Sequence, residues 1–455
     1  MLKLICKNLW ARRRRNGWLM AELVLVSIVC WVVFDPVFVM TYDRYCLPLG
    51  YDADRLCMVS LAQLDPQAPG YDEAANDSAQ LTDDYLGLVR RAAQFEGVER
   101  TAPVLGFVYP NSMGSMNSGY CPENDSVNQA MMGNYFLPHT GFFETYGFRP
   151  VPGKTLADLS DHAYTESELV LNEEAARICF GTSQAAGKRF WALREQRDAT
   201  GQTYTDTLYK PVVGTVGNFK QRSTARPVPV AFLPMLRINS SDITRSSRIL
   251  VRLREGVSME TFLHDFRPWM VQQLRAGNLY ARSVQSYEDL IADLERAEAD
   301  PIYYRNLSLA LFFLVNLCLG VMGSFWLQTR TRQEEIGVMR SFGATSGRII
   351  CMLLAEGLLL TSLAALVGFL IYGSYVWSEG LSNGLNLYGF ESSQSYWTDS
   401  LGQHFLTVSF LILLILWTVV GLGISLPAYR ISRISPTDAL RDERENECYF
   451  TGFTQ

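Results

Sequence analysis

Four long apolar runs constrain this chain more than any other feature. Leu307 to Leu327 and Phe405 to Leu426 contain no charged residue, and Ile349 to Trp377 contains only Glu356, near its start. Each is long enough for a helix crossing a hydrocarbon core about 30 Å thick. Trp18 to Met40 has the length too, although Glu22 and Asp35-Pro36 lie inside it. A cleavable signal peptide is the competing reading of that run. Its apolar part is too long for one, and no small-x-small site follows closely, so an uncleaved anchor fits better. The expected spans are 18–40, 305–328, 349–377 and 405–427.

Arginines set the orientation. "ARRRR", ending at Arg15, abuts the first run; Arg330, Arg332, Arg340 and Arg348 separate the second and third; Arg430, Arg433, Arg441 and Arg444 follow the fourth. Ser378 to His404 has no Lys or Arg and carries Glu379, Glu391 and Asp399. Basic segments favour the cytoplasmic side, and all three can share it only with four spans and both termini inside. This gives a cytoplasmic N-terminus (1–17), a large outer domain (41–301), a cytoplasmic segment (329–348), an outer loop (378–404) and a cytoplasmic tail (428–455).

The outer region spreads its aromatic and aliphatic residues throughout, as a folded α/β domain does. "RLCMVSLAQL", from Arg55, alternates like a strand, "TDDYLGLVRRAAQF" has helical spacing, and "VERTAPVLGF" returns as a strand. "SRILVRLREG", "SMETFLHDFRPWMVQQL" and "YARSVQSYEDL" repeat that strand-helix-strand order much later. Two such units flanking an insertion of about 109–239 suggest a split ferredoxin-like module carrying a β-rich subdomain. The expected fold is therefore an α+β membrane protein with one transmembrane helix before this domain and three after it.

Little here carries chemistry. The net charge of −6 gives no reason to expect a nucleic-acid partner. "VPGKT" and "GTSQAAGKR" imitate a phosphate-binding loop, but five residues separate Gly147 from Gly153 and Gly181 from Gly187, one too many. Pro152 also removes an amide donor from the first, and Arg189 replaces the magnesium-binding hydroxyl in the second. The nine cysteines form no CxxC pair; Cys46, Cys57, Cys121 and Cys179 lie in the outer region, where an oxidising compartment permits a disulfide, Cys46 and Cys57 being the pair closest in sequence. His139, His162 and His264 stand apart, without ligand spacing, so neither a catalytic constellation nor a metal site is expected.

"QTRTRQEEIGVMRSFGATSGRIICMLLAEGLLL" is the informative stretch. Glu334 and Glu335 suit the first turn of a short amphipathic helix, Ile336, Met339, Arg340 and Phe342 its body, and Gly343 its end; Ser346 then caps the helix of the third span. A short helix between two spans is a lever for anything gripping it from the cytoplasm. Lying on anionic lipid is its alternative role. Glu356, about two turns into the third span, suits a helix contact near the interface. Gly320, Gly323, Gly368, Gly421 and Gly423 are candidates for close helix packing.

"RQEEIGVMRSFGAT" closely resembles "REIGVMRSLGAS", the hallmark of the MacB/FtsX-like permeases of ABC transporters. "PAYRISRISPTDALRDE" resembles that family's ending, and "LVLNEEAARICFG" and "KPVVGTVGNFKQRS" are similar to stretches of its outer domain. The resemblance covers essentially the whole chain, in order. It implies a non-enzymatic subunit in the inner membrane, paired with a second copy or paralogue. Separate ABC-type ATPase subunits would hold ATP and magnesium, and no cofactor would bind this chain directly. The resemblance makes Glu334, Glu335, Ile336, Met339, Arg340 and Gly343 the ATPase-coupling residues. Motion would pass to the outer domain for efflux through periplasmic or outer-membrane partners, lipoprotein release or control of cell-wall hydrolases. An ATPase-free membrane-anchored sensor or scaffold is the rival reading.

Overall fold

The computed structural model describes residues 13–112, 114, 116–123, 125–197, 203–330, 333–381, 397 and 400–432. Most of the 378–404 loop, the first residues of the basic N-terminus and the "PTDALRDE" ending lie outside the described residues. The chain divides into two units: Met1–Val39 with Ile302–Gly384 and Tyr396–Gln455, and Met40–Pro301 with Leu385–Ser395.

The first unit is built on four long helices, Arg13–Tyr45, Asp300–Arg330, Ser346–Glu379 and Leu401–Ser432. All four are long and apolar enough to cross a membrane and are called the first to fourth spans below. Their shared core joins Leu19, Leu23 and Trp31 to Leu317, Val321, Leu353, Ala364, Ile412, Val420 and Ile424. Leu311, Phe312, Leu370, Leu406 and Leu426 point outward. Apolar residues on both the inside and the outside are what a lipid solvent allows and water does not. The second span is the least covered, with 17% of its apolar window buried against 33–44% in the others.

The second unit opens with β1 (Leu56–Gln63), a helix at Ser78–Ala92 and β2 (Val98–Val104). Asp77 caps that helix by accepting from the Ala79 N–H, and Leu81, Tyr85, Leu88, Val89 and Ala92 recur at helical spacing on its buried face. The chain then leaves for β3 (Asn117–Pro122), β4 (Gln129–Phe136), β5 (Leu169–Asn172), β6 (Arg189–Arg197), β7 (Thr203–Val216) and β8 (Val230–Pro234). These close a barrel in the order β3-β4-β8-β5-β7-β6. It returns as β9 (Arg248–Leu253), a helix at Met259–Gln273, β10 (Arg275–Ala276) and β11 (Leu279–Ser286).

The sheet order is β10-β11-β1-β9-β2, with every pairing antiparallel. Without the short β10 this is a ferredoxin-like β-α-β-β-α-β sheet, split by the barrel. Both faces are covered. Leu56 and Met58 of β1 share a core with Phe136, Val170 and Phe232 of the barrel strands, while Cys57 and Val59 pack with Leu81, Tyr85, Phe262 and Phe266 of the helices. Side chains alternate along a strand, so a run apolar at every position belongs where both faces are buried.

The structure departs from expectation in detail. "YARSVQSYEDL" is a strand only to Ser286, whose Oγ accepts from the Asp289 N–H and starts a helix, Tyr287–Glu298, with Glu288 and Asp289 in its first turn. Thr345, not Ser346, precedes the third span as its N-cap residue. The described cysteines are all free thiols. Cys57 is buried between sheet and helices, which pushes its thiol pKa up, and Cys46 is exposed, so the two do not bridge. Thr155 of "GKT" caps Leu156–Asp161 in a reciprocal box with Asp158. Gly187 takes a left-handed φ of 80° just before β6.

Candidate functional site

The short helix between the second and third spans runs Gln333–Ser341. Gly343, at φ 88°, ends it, and its N–H bonds back to the Arg340 carbonyl at 2.9 Å. Ile336 is 3% exposed and joins the core cluster that includes Ala428 and Ile431 of the fourth span. Met339 and Arg340 are half-buried. Glu335, Val338 and Phe342 are exposed, Phe342 at 88%. Spacings of three and four residues put these on one face. The Phe342 N–H still bonds to the Val338 carbonyl, so Phe342 continues the last turn. Ile336 is therefore packed into the bundle, and of the exposed groups on the opposite face the sequence reading left out Val338. Hydrophobic periodicity shows that a helix has an apolar side, but not which of several apolar residues the bundle takes. The side chain of Glu334 lies outside the described residues.

The first span touches each of the other three through a polar group. Glu22 accepts from the Ser324 hydroxyl of the second at 3.3 Å. Ser27 lies against Gly368 of the third, where an added Cβ would also meet the Val24 carbonyl at 2.9 Å. Trp31 donates to Ser409 of the fourth at 3.0 Å, and Asp35 meets His404 of the same span. Glu22 and Asp35 thus have defined partners inside the bundle. Gly320 abuts Glu22, and Gly423 abuts Val321 and Met322 of the second span. Gly323 and Gly421 have nothing within 4 Å where a Cβ would be. Glu356 is 7% exposed. Nothing in the sequence pairs His404 with Asp35, since the two are 369 positions apart.

A second constellation belongs to the large unit and gathers at the ends of two helices. Lys220, fully buried, donates from Nζ to the carbonyls of Asp43 at 2.6 Å, Ser223 at 3.0 Å and Arg44 at 3.4 Å. The last carbonyls of a helix have no partner along the helix and carry its negative pole, so an ammonium there supplies both donors and charge. Arg226 pairs with Asp43 at 3.1 Å, Arg44 with Glu295 and, at 2.8 Å, with Asp300, and Arg222 with Glu298 at 3.4 Å. The Ser223 hydroxyl donates to Glu295. Burial pulls the Lys220 pKa down to about 8 against the opposing pull of Asp43 and Glu295. The loop holding these groups is itself fixed: Gln221 donates to the Tyr109 carbonyl at 2.8 Å, and Ser223 N–H donates to Asn111 Oδ1 at 2.8 Å.

His162 meets Glu168 at 3.2 Å and His264 meets its neighbour Asp265 at 2.8 Å, in separate places. Among the described residues no group of three or more His, Cys, Asp or Glu side chains could hold a metal ion.

Residues 307–436 match the family described as FtsX-like permease C-terminal, which takes in the last three spans and the short helix. That stretch of the chain is an FtsX-like permease region. The chain is 27% identical over 126 residues to the uncharacterized ABC transporter permease YknZ of Bacillus subtilis (strain 168), a match covering 28% of either chain. It also resembles a domain of a putative permease protein from Porphyromonas gingivalis (15% identity, TM-score 0.30, 52% of this chain and 92% of that chain). A further likeness is to the periplasmic region of MacB from Actinobacillus actinomycetemcomitans (11% identity, TM-score 0.27, 54% and 94%).

In the large unit, "LVLNEEAARICFG" is β5 followed by a helix, Glu173–Phe180, capped by Asn172 and closed by Gly181 at φ 66°. "KPVVGTVGNFKQRS" is the end of β7 and the loop that delivers Lys220, Gln221, Arg222 and Ser223. The sequence reading gave the lysine of that loop no role.

Proposed function

We propose that the permease carries ATP-driven motion from a separate ABC-type ATPase subunit to its large domain. The single observation behind this reading is the short helix with two opposed faces. Ile336 fixes one face in the bundle, and Glu335, Val338 and Phe342 present the other. An exposed phenylalanine beside an exposed valine suits an apolar pocket on a partner. Because the helix is anchored next to the fourth span, pressure on that face tilts the bundle instead of bending a loop.

On this reading both termini and the short helix are cytoplasmic and the large domain lies across the inner membrane. ATP and magnesium stay on the partner, and the permease is a non-catalytic subunit. A second copy or a paralogue would pack on the sparsely covered second span, where exposed Asn316 adds a polar group among Phe312, Val315 and Leu319. The work done is efflux, lipoprotein release or related cell-envelope work, through further partners beyond the membrane.

The test is affinity purification of the detergent-solubilised chain from its own cells. Co-recovery of an ABC ATPase in roughly equal amount, lost on Phe342→Ser, supports the reading. If the intact chain, gently extracted, brings no ATPase, the sensor or scaffold reading replaces it. Phe342→Ser changing only vesicle binding would reassign the exposed face to lipid.

A further inference from the structure

Asp35 and His404 form a polar pair inside the apolar bundle. Asp35 Oδ1 and His404 Nε2 are 2.5 Å apart, and the residues are 4% and 0% exposed. Aromatic rings surround them. Trp31 packs on Phe405 at 5.3 Å and on Tyr372 of the third span at 4.8 Å between centroids, and Trp397 meets the His404 ring edge-on at 5.2 Å. Ionisable groups buried this completely among aromatic rings are costly and mark working parts by default.

The next residue is Pro36, inside the helix. Proline has no N–H to give the Val32 carbonyl one turn back, and its ring crowds that carbonyl, so a helix bends most readily there. The pair thus sits immediately before the weakest point of the first span. Parting it would leave each polar group without its partner in an apolar pocket, which costs several kcal/mol unless water enters.

We propose that Asp35–His404 is a clasp beside a proline hinge, holding the first span at Pro36 on the fourth span and freeing Val37 to Val39 when it opens. This goes beyond the ATPase reading and does not depend on it, because the clasp belongs to the chain alone. The contacts made by Glu22, Ser27 and Trp31 all lie before the hinge, and Asp43 and Arg44 beyond it bond within the large unit. Asp35 stands at the hinge itself, and is placed to hold Val37 to Val39.

The experiment uses the full chain in lipid nanodiscs, with native cysteines replaced and spin labels at Phe38 and Leu406. Pulsed electron resonance reads the distance distribution between them, with no ATPase present. The intact pair should give one narrow distribution. Asp35→Leu and His404→Leu should each add a second, longer population. Asp35→Asn, which keeps an acceptor, should stay narrow, as should the exchanged pair Asp35→His with His404→Asp. Adding Pro36→Ala to Asp35→Leu should restore the single distribution by removing the hinge. A narrow distribution in folded leucine variants overturns the clasp. A second population that persists without Pro36 overturns the hinge. If the leucine variants do not fold, Asp35→His alone against the exchanged pair decides, and equal distributions overturn the proposal.

Discussion

Lys220 Nζ lies 2.6 Å from the carbonyl oxygen of Asp43, so a buried ammonium closes the end of the first membrane helix. The lysine comes from a loop between two barrel strands, and Arg44 beside it reaches Glu295 and Asp300. One loop therefore grips the exit of one span, and one arginine ties that exit to the start of the next.

The lysine makes stability depend on pH in a defined direction. Its pKa is about 8 in the folded chain against an ordinary value of 10.5, so between those values the unfolded chain holds a proton that the folded chain lacks. Stability from this group therefore rises with pH across that window, and below about pH 8 the full cost of burying the charge applies. Lys220→Met should abolish the rise. Thermal unfolding of both chains in detergent should show the wild type gaining on the order of 3 kcal/mol on the variant across the window. Parallel pH curves would contradict the burial of that ammonium.

The two faces of the short helix predict different failures. Phe342→Ser should weaken recovery of the ATPase about tenfold or more, equivalent to about 1.4 kcal/mol, without lowering the melting temperature. Ile336→Ser should do the reverse, destabilising the bundle by about 2–4 kcal/mol through a lost core contact and a buried hydroxyl. Reversing charge at Glu335 and Arg340 together should uncouple ATP hydrolysis from function while insertion stays normal. Measuring binding, melting and coupled activity on the three variants separates the roles.

The glycines divide the same way. Gly368→Leu has no room, because Ser27 and the Val24 carbonyl occupy the place, and should destabilise the chain by about 1–3 kcal/mol or more. Gly421→Leu and Gly323→Leu meet open space in the single chain. They should be neutral in a monomer, and a loss of dimer yield with unchanged monomer melting would locate a chain–chain contact at that glycine.

Thiol labelling checks the cysteine assignment. A maleimide should modify exposed Cys46 in the native chain and reach Cys57 only after unfolding, with no change on prior reduction. Protection of Cys46 that reduction removes would show a disulfide.

Architecture was largely readable from residue patterns because its signals are local. Apolar length gives the spans, arginine placement suggests the sides, and two strand-helix-strand units suggest the split sheet. The site was less readable because its parts meet through tertiary contacts. Periodicity found the short helix but could not say that the bundle takes Ile336 and leaves Val338 outside. Asp35 was noticed as out of place, yet its partner His404 lies at the far end of the chain. Lys220 sits in a polar turn, and no local signal says that a helix terminus will be folded onto it.

The split of the sheet by the barrel also governs how the chain can be made. β1 pairs only with β9 and β11, and β2 only with β9, so the two strands synthesised first do not pair with each other. At about 5–20 residues per second, β1 waits roughly 10–40 s for its first partner while the whole barrel is produced. During that interval the first span is already made and two unpaired strand edges hang from it. A stalled or truncated product would therefore expose adhesive strand edges that the finished chain keeps paired.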